Sequence, residues 1–444
     1  MRVLGLVDGE HYPPVTRWGI EVARTKGFEV VAALLVGGVE KLSPGTELPD
    51  LGTPVRPVVG DVSAALARAI DELRPEGVLD LSDEPIIGYR ERMELAAVAL
   101  ARGVAYVGPD FRLDPPISGP PLDVPTIAVI GTGKRTGKTA IAGDLARAAA
   151  AMNANPVLVA MGRGGPAEPQ VARAGSVGLD QLLELVRSGE HAASDYLEGA
   201  VTSGVTTVGA RRAGGGLAGL PMATNVREAA DLAVGLGAGI VLLEGSGAAV
   251  PPIPWDAGVL VVPVSAPPEY LGGYLGPYRL LLSDLVVFTM SGSPHAGPEN
   301  TSALRSHVQR LRGDARLIVT RFEPHPLDDV RGKKVFFTTT AHGAAAAGQI
   351  DSLEAAHGCR VVGWSDNLAD RAGLAQDMDG AQPYEVLLTE LKAAAIDIAC
   401  RRALDRGAEV VFVDNRAVVV EGDTDIGTAL RGTIDLARQR RANR

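Results

Sequence analysis

The 444-residue chain reads as an α/β protein built on two mostly parallel sheets. Three observations lead there. Short apolar runs alternate with longer amphipathic segments almost throughout, which is the pattern of βαβ units. The proline-dense stretch "FRLDPPISGPPLDVP" interrupts that alternation once. The length also exceeds what a single hydrophobic core usually serves.

In the first part, "VLGLV", "VVAALLV", "GVLDL" and "VAYVG" read as buried strands. Between them, "VTRWGIEVARTKG" and "RMELAAVALARG" read as helices, each closed by a glycine. This is a Rossmann-like domain, and the proline stretch sets its boundary near Leu122, giving residues 1–122. Beyond it come the strand "TIAVI", the loop "GTGKRTGKT" and the helix "TAIAGDLARAAAAM", with Ile141, Leu145 and Ala149 on one face. The runs "PVLVA", "GIVLLE", "GVLVVPV", "DLVVFTM" and "ARLIVT" continue a doubly wound sheet over 123–330. From about Val330 the pattern goes on through "KKVFFTTT", "CRVVGW" and "EVVFVDN". We assign 331–444 as a C-terminal α/β extension, although the pattern by itself leaves a separate third domain open.

Composition narrows the partners. Lys+Arg 43 against Asp+Glu 53 gives a net charge of −10, which argues against general nucleic-acid binding. Cys359 and Cys400 lie far apart and outside any CxxC, so neither a disulfide framework nor a zinc-cysteine site is expected. That usage suits a cytoplasmic protein. The opening "MRVLGLVDGEHYPP" reads as a buried strand rather than a signal peptide. No apolar stretch approaches the roughly 20 residues that span a bilayer. The ending "DLARQRRANR" reads as a solvated terminal helix.

The loop carries the chemistry. A P-loop wraps an anion with backbone N–H groups at a helix N-terminus, its lysine adds charge, and its hydroxyl binds Mg²⁺. The usual spacing puts a glycine five residues before Gly-Lys-Thr; here Thr132 holds that place, flanked by Gly131 and Gly133. The strand–loop–helix context is complete, so a loop one residue longer is expected to work if those glycines supply unusual backbone angles. This makes 123–330 a P-loop NTPase domain. Gly131, Gly133, Lys134, Gly137, Lys138, Thr139 and Ala140 are the nucleotide-binding residues, with Lys138 in a solvated loop. Thr139 and Glu244, at the end of "GIVLLEGSG", are the Mg²⁺ side. No Asn-Lys-x-Asp run follows a late strand, which favours ATP over GTP.

Three further stretches sit at ligand-facing strand ends. "MGRGGPAEP" offers Arg163, and "VGARRAGGGLAG" offers Arg211 and Arg212 in what reads as an exposed loop. All three arginines are expected to hold phosphate. "EHAASDYLEGA" sets His191, Asp195 and Tyr196 at helical spacing. In the first domain, Asp8, His11 and Tyr12 follow one strand, Asp80, Asp83 and Glu84 follow another, and Arg90 and Arg92 open the next helix. "DGEHYPP" and "DLSDEP" are therefore expected on one rim.

The pair "GTGKRTGKT" and "LLEGSG" resembles dethiobiotin synthetase and its relatives. Over nearly the whole chain, "DGEHYPP", "DLSDEP", "GTGKRTGKT", "MGRGGP", "HAASDYLE", "RRAGGGLAG" and "LLEGSG" together resemble the cyclic 2,3-diphosphoglycerate synthetase family. The resemblance implies an ATP-dependent cyclising ligase. It would close 2,3-bisphosphoglycerate into its cyclic pyrophosphate, release ADP and phosphate, and use Mg²⁺. It implies Lys138, Arg163, Arg211 and Arg212 as catalytic residues. His11, Tyr12, Asp83, Arg90, Arg92 and His191 would be substrate contacts. Relatives of the wider P-loop superclass often place the nucleotide site at a dimer interface, so a homodimer is expected. A regulatory P-loop NTPase switch acting through a protein partner is the alternative. It would hydrolyse ATP slowly and make no small-molecule product.

Overall fold

The structure, a computed structural model, describes residues 1–37, 48–189, 192–292 and 297–444. Two units result. The first gathers 1–118, 267–282 and 306–313; the second holds the remainder.

The first unit is built on β1 (Arg2–Val7), β2 (Glu29–Leu35), β3 (Val55–Pro57), β4 (Gly77–Asp80), β5 (Ala105–Val107) and β6 (Arg112–Leu113). Their order is β3-β2-β1-β4-β5-β6. All neighbours are parallel except β5 and β6. This is the strand order of a Rossmann sheet, with its switch point between β1 and β4. Val3, Leu4 and Leu6 of β1 are fully buried, as a run-like central strand requires. The helix Val62–Leu73 went unread in the sequence, as did β3 and β6. Strands of three and two residues are too short to leave a period.

The second unit holds β7 (Thr126–Gly131), β8 (Pro156–Gly162), β9 (Gln170–Ala172), β10 (Thr206–Ala213), β11 (Ala223–Thr224), β12 (Ile240–Glu244) and β13 (Ala257–Pro263). It continues through β14 (Leu285–Thr289), β15 (Arg316–Pro326), β16 (Lys334–Thr338), β17 (Arg360–Ser365), β18 (Val386–Glu390) and β19 (Glu409–Glu421). Among the described residues these form one sheet, β11-β10-β8-β12-β7-β13-β14-β15-β19-β18-β16-β17, with β9 on β10. The C-terminal segment is thus an α/β extension of the P-loop sheet.

The join is an antiparallel ribbon. β14 pairs with β15 as far as Phe288 and Val319, but β15 runs on to Pro326, opposite Val413 of β19. Val413 also stands opposite Glu390, the last residue of β18. The carboxyl ends of β18 and of the P-loop strands therefore point toward each other along the ribbon. Both sets of ligand-facing loops look into one region.

The helix Lys138–Ala151 follows β7, with Ile141, Leu145 and Ala149 all at 0% exposure. The terminal helix Ile426–Ala442 departs from expectation. It is not solvated all round: Leu430, Ile434 and Ala437 are buried in the same core cluster as Ile141 and Leu145. The apolar spacing 430, 434, 437 is helical, but it lies mostly upstream of the basic tail that dominated the sequence reading. Cys359 and Cys400 are buried and unpaired. Among the described residues no helix is long and apolar enough to cross a membrane.

If the terminal helix packs as described, Ile434→Ala leaves a cavity and should cost about 2–5 kcal/mol. Urea unfolding reads this; a loss under about 0.5 kcal/mol would restore the solvated helix.

Candidate nucleotide and anion site

β7 lies between β12 and β13, so its carboxyl end opens at the middle of the parallel half of the sheet. The turn from β7 into the helix is tight, but not where the sequence suggested. Gly131 and Gly133 do not take left-handed angles. Arg135 (φ 58°) and Gly137 (φ 90°) do. A Cβ on Gly137 would also collide with the Phe322 ring, which β15 lays against the loop. Gly131 is needed for closeness instead: a Cβ there would meet Thr136, the Lys138 stem and the Val261 carbonyl. Gly133 has open space around it. Thr289 Oγ1 donates to Thr136 O at 2.8 Å and ties the loop to β14.

Lys138 is not in a solvated loop. It is the first helical residue and only 7% exposed. Its Nζ donates to Gly133 O at 2.7 Å and Thr136 Oγ1 at 3.2 Å. Burial pulls its pKa below the usual lysine range, and the charges of Glu244 and Asp195 oppose that. Thr139 Oγ1 donates to Glu244 Oε1 at 2.6 Å. Burial, then the charge of Asp195, pushes the Glu244 carboxyl up. Lys134 is exposed, and Ala140 is half-buried on the helix.

Asp195 is a member of the site that sequence reasoning noticed but did not select. It opens the helix Asp195–Ser203, and its carboxylate lies against Gly162 at the end of β8. Its field reaches Lys138, Glu244 and Arg212. The signal was weak because nothing in "SDYLEG" distinguishes a site carboxylate from a helix-start one.

The arginines divide. Arg163, just past β8, and Arg212 both reach Gly247 in the loop after β12: a Cβ there would lie 2.7 Å from Arg163 Nη2 and 3.2 Å from Arg212 Nη2. Arg212 Nη2 donates to Ser246 O at 2.7 Å. Burial and then the charge of Arg163 lower the Arg212 pKa. Arg211 faces elsewhere and donates through Nε to Pro166 O at 2.9 Å. Neither residue is in a loop. Both lie near the end of β10, Arg211 opposite Gly162 of β8 and Arg212 opposite Thr224 of β11. The sequence reading ended the strand at "VTTV" and put the arginines in the loop, whereas the strand runs on through them.

Among the described residues, three buried polar atoms in these segments have no partner: Glu244 Oε2, Arg212 Nε and Ser194 Oγ. Such atoms are costly unless a ligand meets them. An orphan guanidinium N–H fits a phosphate, and an orphan carboxylate oxygen beside a hydroxyl fits a hard divalent cation. Among the described residues no group of three or more His, Cys, Asp or Glu could hold a metal alone. Thr139, Glu244 and Asp195 would suit Mg²⁺ sharing its shell with phosphate and water.

The first unit has its own polar cluster at the β1/β4 switch point. Asp8, 1% exposed, accepts His11 Nδ1 at 3.0 Å and the Asp83 N–H at 2.8 Å. "DGEHYPP" and "DLSDEP" do share a rim. Burial alone would raise Asp8, but the bonds from His11 and from the N–H groups of Glu10, His11 and Asp83 hold it below the usual carboxylate range. The hydrogen bond to Asp8 raises His11. Arg92 is spent on structure, pairing with buried Asp80 at 2.8 Å and donating to Ser82 O at 2.9 Å. Tyr12 and Arg90 are exposed. His191 lies outside the described residues.

A strand–glycine loop–helix cradle, with a buried lysine and a hydroxyl facing two carboxylates, defines a P-loop nucleotide-binding protein of the doubly wound α/β class. The particular family follows from comparison. Models of cyclic 2,3-diphosphoglycerate synthetase match residues 2–114 (N-terminal domain), 126–321 (P-loop domain) and 326–416 (C-terminal domain). The chain belongs to the cyclic 2,3-diphosphoglycerate synthetase family. It is 47% identical to the synthetase of Rubrobacter xylanophilus over 94% of both chains. It is 39% identical to that of Methanothermobacter thermautotrophicus, over 95% of this chain and 93% of the other. Among solved structures, an LpxK from Aquifex aeolicus in complex with ATP aligns with a TM-score of 0.41 and 14% identity, covering 73% of this chain and 90% of that one. That likeness is too loose to carry an argument.

Two outcomes follow from this geometry. Gly137→Ala combines a left-handed residue with a collision, so nucleotide binding should fall at least about tenfold, while Gly133→Ala meets no steric block. Calorimetry with MgADP would separate them, and equal affinities would overturn the steric account. In the first unit, the proton NMR midpoint of His11 should lie above 6.5 and drop in Asp8→Asn. Because the folded His11 value is raised, its contribution is full below pH 6.5 and is lost as pH rises through that folded value. Because Asp8 is lowered, its contribution is lost as pH falls through the folded carboxylate value.

Proposed function

We propose that the protein uses ATP to close 2,3-bisphosphoglycerate into cyclic 2,3-diphosphoglycerate, releasing ADP and phosphate. The observation that carries this reading is the convergence of Lys138, Arg163 and Arg212 opposite Glu244 and Asp195. Cations and metal-binding carboxylates around one loop are what phosphoryl transfer onto a polyanion requires. Mg²⁺, held by Thr139, Glu244 and Asp195, would offset phosphate charge.

The reaction balances in two displacements. A phosphate oxygen of the substrate attacks the γ-phosphorus of ATP; the bond to the β-phosphate breaks and ADP leaves. An oxygen of the substrate's other phosphate then attacks the phosphorus of the first ester. A ring anhydride forms and inorganic phosphate departs. Phosphates are largely ionised near pH 7, so neither step calls for a general base. What the chain must supply is charge and position. Lys138 and the loop N–H groups hold the transferred phosphoryl group. Arg163 and Arg212, kept close despite their like charge, offset the crowding of two phosphates. Arg211 braces the hairpin that aims Arg212. His11, Tyr12 and Arg90, exposed at the first unit's rim, are assigned to substrate contact, with Asp83 and Arg92 shaping that rim. A homodimer remains part of the proposal, and light scattering reads it directly.

Phosphorus NMR of protein, MgATP and 2,3-bisphosphoglycerate is the direct test. ADP, phosphate and a cyclic pyrophosphate should appear in equal amounts; ADP without a new anhydride signal would favour the regulatory switch instead. Lys138→Ala should abolish turnover. Arg212→Ala removes a bond to a charged group and should cost roughly 10- to 150-fold in kcat/KM, with lysine rescuing only in part. Full activity in Arg212→Ala would remove the clamp.

A further inference from the structure

The C-terminal extension sends one cation toward the phosphate loop. Lys392 follows the carboxyl end of β18, which the ribbon turns to face the P-loop strands. It lines a pocket together with Thr139 and Ala140, the second and third residues of the phosphate helix. Glu198, Glu390 and Asp414 line the same pocket.

Two of those carboxylates have other partners. Glu390 accepts Thr339 Oγ1 at 3.0 Å, Thr340 Oγ1 at 2.7 Å, Thr340 N at 3.1 Å and Asn415 Nδ2 at 2.8 Å. Asp414 pairs with Arg147 at 3.0 Å and Arg416 at 3.4 Å. Glu198, one helical turn beyond Asp195, is the one that forms an ion pair with Lys392 among the described residues, while the charges of Glu390 and Asp414 also act on the ammonium. Their separation is 3.4 Å, longer than the roughly 2.7–2.9 Å of a good charge-assisted hydrogen bond. The ammonium has three donors, and this loose pair does not use them all. The Lys392 side chain is also 35% exposed, against 12% for Glu198.

We propose that Lys392 is a ligand for an anionic group of the substrate, turning from Glu198 to a phosphate or carboxylate bound against the phosphate loop. This rests on the reading of the previous section, in which the substrate is a polyanion. It assigns the extension a direct part in binding. The flexible four-carbon stem suits such a swing, and the compact charge suits a phosphate oxygen.

The test compares Lys392→Met, Lys392→Arg and Glu198→Gln. Calorimetry with 2,3-bisphosphoglycerate in the presence of MgADP reads binding apart from turnover, and thermal melts check folding. Lys392→Met should weaken 2,3-bisphosphoglycerate roughly 10- to 150-fold while MgADP affinity stays within about twofold. Lys392→Arg should recover part of the loss. Glu198→Gln releases the lysine, so it should leave 2,3-bisphosphoglycerate affinity unchanged or tighter. If Lys392 were a structural tie, Lys392→Met and Glu198→Gln would lower melting temperature and affinity alike, and the proposal would fall. Wild-type affinity in a folded Lys392→Met would also overturn it. An absence of cyclic product from wild-type protein that still binds 2,3-bisphosphoglycerate would count against the preceding reading and leave this one standing.

Discussion

The antiparallel ribbon of β15 and β19 is the constraint on which the second unit turns. Parallel strands present their ligand loops at one edge of a sheet, and a simple extension would have placed every new loop on that same edge. Reversing direction at the ribbon does something different. It aims the loop after β18 back at the loop after β7. The same ribbon lays Phe322 over Gly137, so the phosphate loop is shaped partly by a side chain almost two hundred residues away. Its register fixes both effects, because a one-residue slip would turn Phe322 to the opposite face.

Within that frame the site is held under electrostatic tension. Lys138 is buried against its own loop, two guanidiniums converge on Gly247, and Glu244 keeps one oxygen unpaired. Each of these is unfavourable in isolation. Together they make sense as halves of interactions that phosphates and a divalent ion would complete. The strain is local: the interiors of the surrounding strands β7, β12 and β13, residues 127–130, 240–243 and 259–262, are fully buried aliphatic residues. A rigid apolar floor beneath unsatisfied charge is the arrangement that preorganised phosphoryl-transfer sites require.

The sequence by itself determined most of the longer strands and the phosphate loop. Buried parallel strands are continuous aliphatic runs, and "TIAVI" or "GIVLLE" announces itself without a partner. Glu244 and Arg163 were legible because they stand at or just past the end of such a run, and Lys138 and Thr139 because they close the glycine loop that follows one. What only the tertiary structure decided depends on contacts distant in sequence. Asp195 belongs to the site because its helix packs beside the phosphate helix, and no local signal encodes that. Arg211 and Arg212 are neighbours with opposite fates because a strand sends alternate side chains to opposite faces, and the strand's end was set by pairing with β11. The left-handed angles fell at Arg135 and Gly137 rather than at Gly131 and Gly133, and the distant Phe322 leaves no room for a Cβ on Gly137. The direction of the C-terminal strands had no signature at all. A strand reads the same whether its neighbour runs with it or against it, and the ribbon made that choice.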